Sequence, residues 1–212
     1  MSDISAGRLL RSNTRGCVVG CHVSQPSPAF GSMIYIPTEN GRIFGMVYDI
    51  HIDDDGLVRQ LAAASNVPDE VIFDNRTNRN VPVEMSIIFI GYSIGSKISH
   101  LLPPRPPLSL DEMYVCNSKD LRNFTNAGHF GYFRHIIYKQ DIPTGELLSA
   151  HLQPVNAAQR DDGNPNWINE AIQEIITLLR NNHELMTNVL GAISDAFPEF
   201  PAKTLKETLR GK

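Results

Sequence analysis

Between residues 7 and 116 the chain falls into short runs rich in Val, Ile, Tyr and Phe, separated by Gly, Pro, Asn and Asp. An antiparallel barrel or sandwich reads this way, because turn residues punctuate strands whose side chains alternate between two faces. The runs are Cys17 to Val23, Ser32 to Pro37, Arg42 to Ile52, Val83 to Ile94 and Met113 to Asn117. Glu39-Asn40-Gly41 joins the second run to the third, and its Asn-Gly pair tolerates positive φ at both central positions of a hairpin turn. Asp53-Asp54-Asp55-Gly56 ends the third run, after which Leu57 to Asn66 reads as a short helix beside the barrel. Pro103-Pro104-Arg105-Pro106-Pro107 is stiff and extended, since each ring fixes φ and restricts the residue before it. It carries the chain across one end of the barrel to the last strand.

The pattern changes after residue 125. Over 126 to 160 it is mixed: Phe130 to Tyr138 reads as a strand, and Gly145 to Arg160 as a short helix broken at Pro154. Asn164 then caps a helix that Pro165 opens and Pro198 stops. Within it Ile168, Ile172, Ile175, Leu179, Met186, Val189 and Ile193 recur on steps of four and three, with Asn182 filling the remaining position. β-branched residues and one Asn at such positions suit a two-stranded coil, which makes these eight the candidates for oligomerisation. Ala171, Ile176, Leu178, Leu185 and Leu190 widen the apolar face, as in a helix packed on its own barrel. The fold class expected is α+β, with a barrel over 1–124, a connecting segment over 125–160 and a helical segment over 161–212.

Composition narrows the function. A length of 212 residues and 42% hydrophobic content suit one good core with an appendage. The start, MSDISAGRLLRSN, lacks an apolar stretch of signal-peptide length, so the expected location is the cytoplasm and no membrane partner is expected. Cys17, Cys21 and Cys116 are an odd count in such a chain and read as reduced thiols. A net charge of -4 argues against a dedicated nucleic-acid face, leaving the tail Lys203, Lys206, Arg210 and Lys212 as a local basic patch.

Three motifs that imitate a known site fail on chemistry. Gly91 to Ile98 has glycine, serine and lysine like a phosphate loop, but only three residues separate the glycines, and Ser96 intrudes before Lys97. His51-x-Asp53-x-Asp55-Gly56 opens like a calcium loop, yet its first position is not an acid and Ala62 stands where a bidentate Glu belongs. Cys17, Cys21 and His22 do not form a zinc set, since on a strand the cysteines share one face and the histidine takes the other. His129, Phe130, Tyr132, Phe133, Arg134 and His135 interleave rings with basic groups, as a stacking platform for single strands does. No catalytic, cofactor or metal residue is assigned from these patterns.

The barrel region, about residues 6 to 124, resembles the HAS barrel, the small N-terminal domain of HerA-type DNA-translocating ATPases, related in fold to the N-terminal barrels of rotary ATP synthase subunits. The residues that carry the resemblance are Gly7-Arg8-Leu9-Leu10 leading into the first strand, Phe30 to Ile36, Gly41 to Val47, Glu84 to Tyr92, the Leu102 to Pro107 crossing, and Met113 to Cys116. In that family the barrel helps build a ring that engages a NurA-type nuclease in DNA end processing. This chain has no Walker A sequence after the barrel, so the resemblance implies an assembly role without a catalytic residue.

The leading expectation is therefore a non-catalytic interaction module, accessory to a HerA-like ATPase or NurA-like nuclease and itself a homo-oligomer, touching nucleic acid only indirectly. One alternative is a small enzyme with a site at the barrel–helix junction formed from His129, Arg134, His135 and Asp141. The other is single-strand binding by the barrel surface.

Overall fold

The computed structural model describes residues 5–21, 27–52, 56–77 and 83–199. Seven strands run in the order β1 (Ser5–Asn13), β2 (Gly16–Cys21), β3 (Met33–Thr38), β4 (Gly41–Ile52), β5 (Val83–Ile94), β6 (Lys97–Ser99) and β7 (Glu112–Val115). Six of them close a ring: β2 pairs with β1, β1 with β7, β7 with β3, β3 with β4, β4 with β5, and β5 returns to β2, every pairing antiparallel. Closure removes the open edges that invite aggregation, and β6 extends β5 as a short hairpin arm. The expected barrel is present, with two strands the apolar runs did not show, β1 and β6. β1 is inconspicuous because only Leu9 among its large side chains is buried.

Strand alternation divides the apolar residues between two cores. Ile34, Ile36, Ile87 and Phe89 point into the barrel with Leu9, Val19, Met85 and Met113. Their neighbours Met33, Tyr35, Ile88 and Ile90 lie on the outer wall with Phe44 and Met46, in one continuous cluster with the helices. The hairpin between β3 and β4 is where Asn40 and Gly41 lie, but its register differs from the expectation. Thr38 pairs with Gly41, so Glu39 and Asn40 form the turn, and none of the three has positive φ. Gly41 is required instead by close approach, since a Cβ there would sit 2.0 Å from the Ser93 carbonyl oxygen.

The helices are α1 (Leu57–Ala63), α2 (Asp69–Thr77), α3 (Ser118–Thr125), α4 (Phe133–Ile137), α5 (Thr144–Asp161), α6 (Trp167–Leu179) and α7 (His183–Ala196). The short helix expected after Gly56 is α1. Asn117 caps α3 through a capping box with Asp120, whose amide it accepts at 3.0 Å. Three expectations are corrected here. Phe130 to Tyr138 is not a strand: residues 128–130 make a 3-10 turn and 133–137 form α4. The aromatic composition that suggested a strand serves a helix core, with Tyr132, Phe133 and Ile136 fully buried.

The second correction is that α5 runs through Pro154 unbroken for 18 residues. Pro154 lies on the exposed face, and an interior proline costs about 3 kcal/mol. The burial of Leu147, Leu148, Leu152 and Val155 offsets that cost, because each such side chain contributes about 1.5–3 kcal/mol. The third is the C-terminal helix, which is two helices rather than one. Asn182 does not occupy a coil position; it is the N-cap of α7, and its Oδ1 accepts the Leu185 amide at 3.1 Å. Ile168, Ile172, Ile175, Leu179, Met186, Val189 and Ile193 are all buried in the chain's own core, with α7 packed chiefly on α5. The four-and-three spacing therefore records packing inside the chain.

Candidate functional site

An open cleft of about 770 Å³ lies where the barrel meets the helices. One wall comes from the β1–β2 hairpin, which places Arg11, Ser12, Asn13 and Arg15 at its rim. The hairpin is held in shape by the Arg15 amide, which donates to Asn13 Oδ1 at 2.7 Å. The other wall is α4 with the segment that follows it, bringing Arg134, His135, Tyr138, Lys139 and Asp141. Tyr48 on β4 lines the floor, and the Lys139 ammonium sits 4.5 Å above its ring.

The groups on the α4 side are fixed by one carbonyl. His100 ends the short β6 arm, and its backbone oxygen accepts both from Arg134 Nη2 and from His135 Nε2, the latter at 2.8 Å. A carbonyl only accepts, so His135 carries its proton on Nε2 and leaves Nδ1 as the acceptor. Burial lowers the His135 pKa, the bond to the His100 carbonyl opposes this, and the Arg134 charge lowers it further, so the surroundings favour the neutral ring. The His100 ring donates its own Nε2 proton to the Phe124 carbonyl at 3.0 Å, and burial lowers its pKa as well.

The charge of the cleft therefore comes from Arg11, Arg15, Arg134 and Lys139, against Asp141 alone within the lining. Arg11 pairs loosely with Glu84 at 3.5 Å. Among the described residues, Arg15, Arg134 and Lys139 have no carboxylate within ion-pair distance. The second cleft, about 730 Å³ beside β4 and α3, is different. Its Arg42 is held by Asp120 at 2.8 Å and stacks 4.1 Å from the Tyr35 ring, which leaves that cleft electrically balanced.

The structure brings together three of the four junction residues read from the sequence, Arg134, His135 and Asp141; His129 does not line this cleft. The aromatic platform is not formed. Tyr132 and Phe133 are fully buried, and Phe130 stacks on Phe133 at 5.6 Å and packs on Trp167. Gly91 to Ile98 is a β-hairpin in which Gly95 and Ser96 make the turn, with no helix start to hold a phosphate. Cys17 and Cys21 face the barrel interior as small hydrophobes, and burial pushes the Cys17 thiol up to about 12. His22, Asp53, Asp55, Lys203, Lys206, Arg210 and Lys212 lie outside the described residues.

Arg11 and Arg15 are the site residues that sequence reading missed. They stand more than a hundred positions before Arg134, and only the closure of β2 on β5 brings the two groups to one cleft. Among the described residues there is no cluster of three potential metal ligands, and no helix is long and apolar enough to cross a membrane. No protein-family model matches the chain, and no curated protein matches it in sequence.

Proposed function

We propose that this chain is a non-catalytic assembly module whose HAS-like barrel docks on an oligomeric protein partner. A HerA-like ATPase or its NurA-like nuclease is the partner class that the family resemblance implies. The reading keeps the chain in the cytoplasm and lets it reach nucleic acid only through that partner.

The observation that carries it is the turn at residues 108–111, between the proline-rich crossing and β7. Leu108 and Leu110 are 73% and 68% exposed there, and Leu10 is exposed on the neighbouring strand. Single exposed leucines are ordinary, but two on one rigid turn are not. The Leu108 amide donates to Asp111 Oδ2 at 2.8 Å, and the Leu110 amide to the Leu9 carbonyl at 2.8 Å. The Leu9 amide returns a bond to the Asp111 carbonyl at 3.0 Å. Leu110 is thereby held at φ 73, a left-handed conformation that costs a residue with a Cβ about 1–2 kcal/mol. A pinned pair of leucines supports docking with little ordering entropy lost on binding.

The test is reconstitution. The purified chain is mixed with the HerA-like ATPase, and separately with the NurA-like nuclease, of its own source, and complex mass is read by light scattering. A complex of defined stoichiometry with either supports the reading, and the mass of the chain alone reports self-association. Absence of a complex with both counts against it.

A further inference from the structure

We infer that the junction cleft is a binding site for a nucleoside polyphosphate, with the phosphates on Arg15, Arg134 and Lys139 and the base on the ring of Tyr138. The cleft and the docking turn are neighbours, since Ser12 on the cleft wall donates its hydroxyl to the Pro107 carbonyl at 2.5 Å, but no residue of the turn lines the cleft.

Charge comes first. The chain carries a formal net charge of -4, yet this cleft gathers four cations against one carboxylate, and three of those cations have no ion-pair partner among the described residues. Uncompensated guanidinium and ammonium groups converging on one concavity raise the local anion concentration, and arginine's planar fork suits phosphate oxygens. Arg134 is not a loose surface group, since the His100 carbonyl orients its guanidinium. Asn13 and Gln140 add uncharged donors around the cations.

Size and aromatic chemistry then choose among anions. A volume of about 770 Å³ lies within the roughly 300–1,000 Å³ of small-molecule sites. Tyr138 is 68% exposed beside Lys139, so its ring face is open to a planar group, and bases stack on such rings. Lys139 is already steered over this cleft by its seat on Tyr48. A nucleic-acid strand fits less well. A polyanion needs a basic track longer than the cleft, and the second cleft's Arg42 is already neutralised by Asp120.

The experiment is titration calorimetry on the full chain with ATP, ADP, adenosine, inorganic tripolyphosphate and a short oligothymidylate. The site takes one ATP per chain, and adenosine binds at least about tenfold more weakly, because the charged hydrogen bonds are lost. Arg15→Ala and Lys139→Ala each weaken ATP by about tenfold with an unchanged circular dichroism spectrum, Arg15 being exposed and Lys139 half-buried. Tyr138→Ala weakens ATP about fivefold or more but leaves tripolyphosphate binding unchanged. The inference is overturned by absence of ATP binding, by equal affinity in the Arg15 and Lys139 variants, by ATP affinity indifferent to Tyr138, or by an oligothymidylate that outcompetes ATP.

Discussion

The Tyr132 hydroxyl lies 3.1 Å from His151 Nε2, and both side chains are wholly buried between α4 and α5. The pair sits among the rings of Phe124, Phe133 and His100. Burial lowers the His151 pKa from 6.5 to about 4, the nearby Gly31 carbonyl only softening the shift.

Acid should therefore weaken the fold through His151. The folded pKa lies below the unfolded value, so the folded state excludes a proton that the unfolded chain accepts as pH falls from 6.5 toward 4. Stability is full above pH 6.5 and drops by about 3 kcal/mol on reaching pH 4. His100 and His135, also lowered by burial, act in the same direction. Urea denaturation at neutral pH and near the lower limit measures the loss. Tyr132→Phe leaves His151 Nε2 buried without its partner and costs about 1–3 kcal/mol at neutral pH.

Gly31 marks where the barrel touches α5. Its φ is +82, and an added Cβ would lie 2.6 Å from the Ala150 Cβ and 3.0 Å from the His151 amide nitrogen. Gly31→Ala combines strained backbone with overpacking and should cost about 2–4 kcal/mol, read as a lowered melting temperature.

The break between α6 and α7 gives a direct comparison of two roles for Asn182. As an N-cap, its replacement in Asn182→Ala costs about 1 kcal/mol and leaves the solution mass unchanged. A coil position would instead give tighter association in Asn182→Leu. Leu179→Asp places an unpaired charge in the core and should unfold the helical layer rather than release a partner.

At Leu110 stability and docking should separate. Leu110→Gly relieves the φ 73 strain but frees the unfolded chain, so the net stability change stays within about 1 kcal/mol. The same variant removes one of the two exposed leucines, and its complex with the partner weakens at least about tenfold. Denaturation and affinity measured on one preparation check both halves.

The barrel was legible because Ile34, Ile36, Ile87 and Phe89 alternate with outward neighbours, and because turn residues bound each strand. The helical layer was only half legible. Its apolar spacing passes through Arg180–Asn182 without interruption, so a periodicity argument joins two helices that the Asn182 cap divides. The segment from Phe130 to Tyr138 misled for a related reason, since aromatic residues favour strands until a helix core claims them. The cleft was the least legible part. Arg134, His135 and Asp141 were in view as neighbours, but Arg11 and Arg15 join them only through tertiary closure, which no local pattern encodes.

Docking through the leucine turn is tested most sharply by the affinity of the double variant Leu108→Asp, Leu110→Asp for the HerA-like ATPase. The expected result is a loss of at least about tenfold with an unchanged thermal melt, because both side chains project into solvent. Undiminished affinity would rule out the turn and move the interface to another face of the barrel.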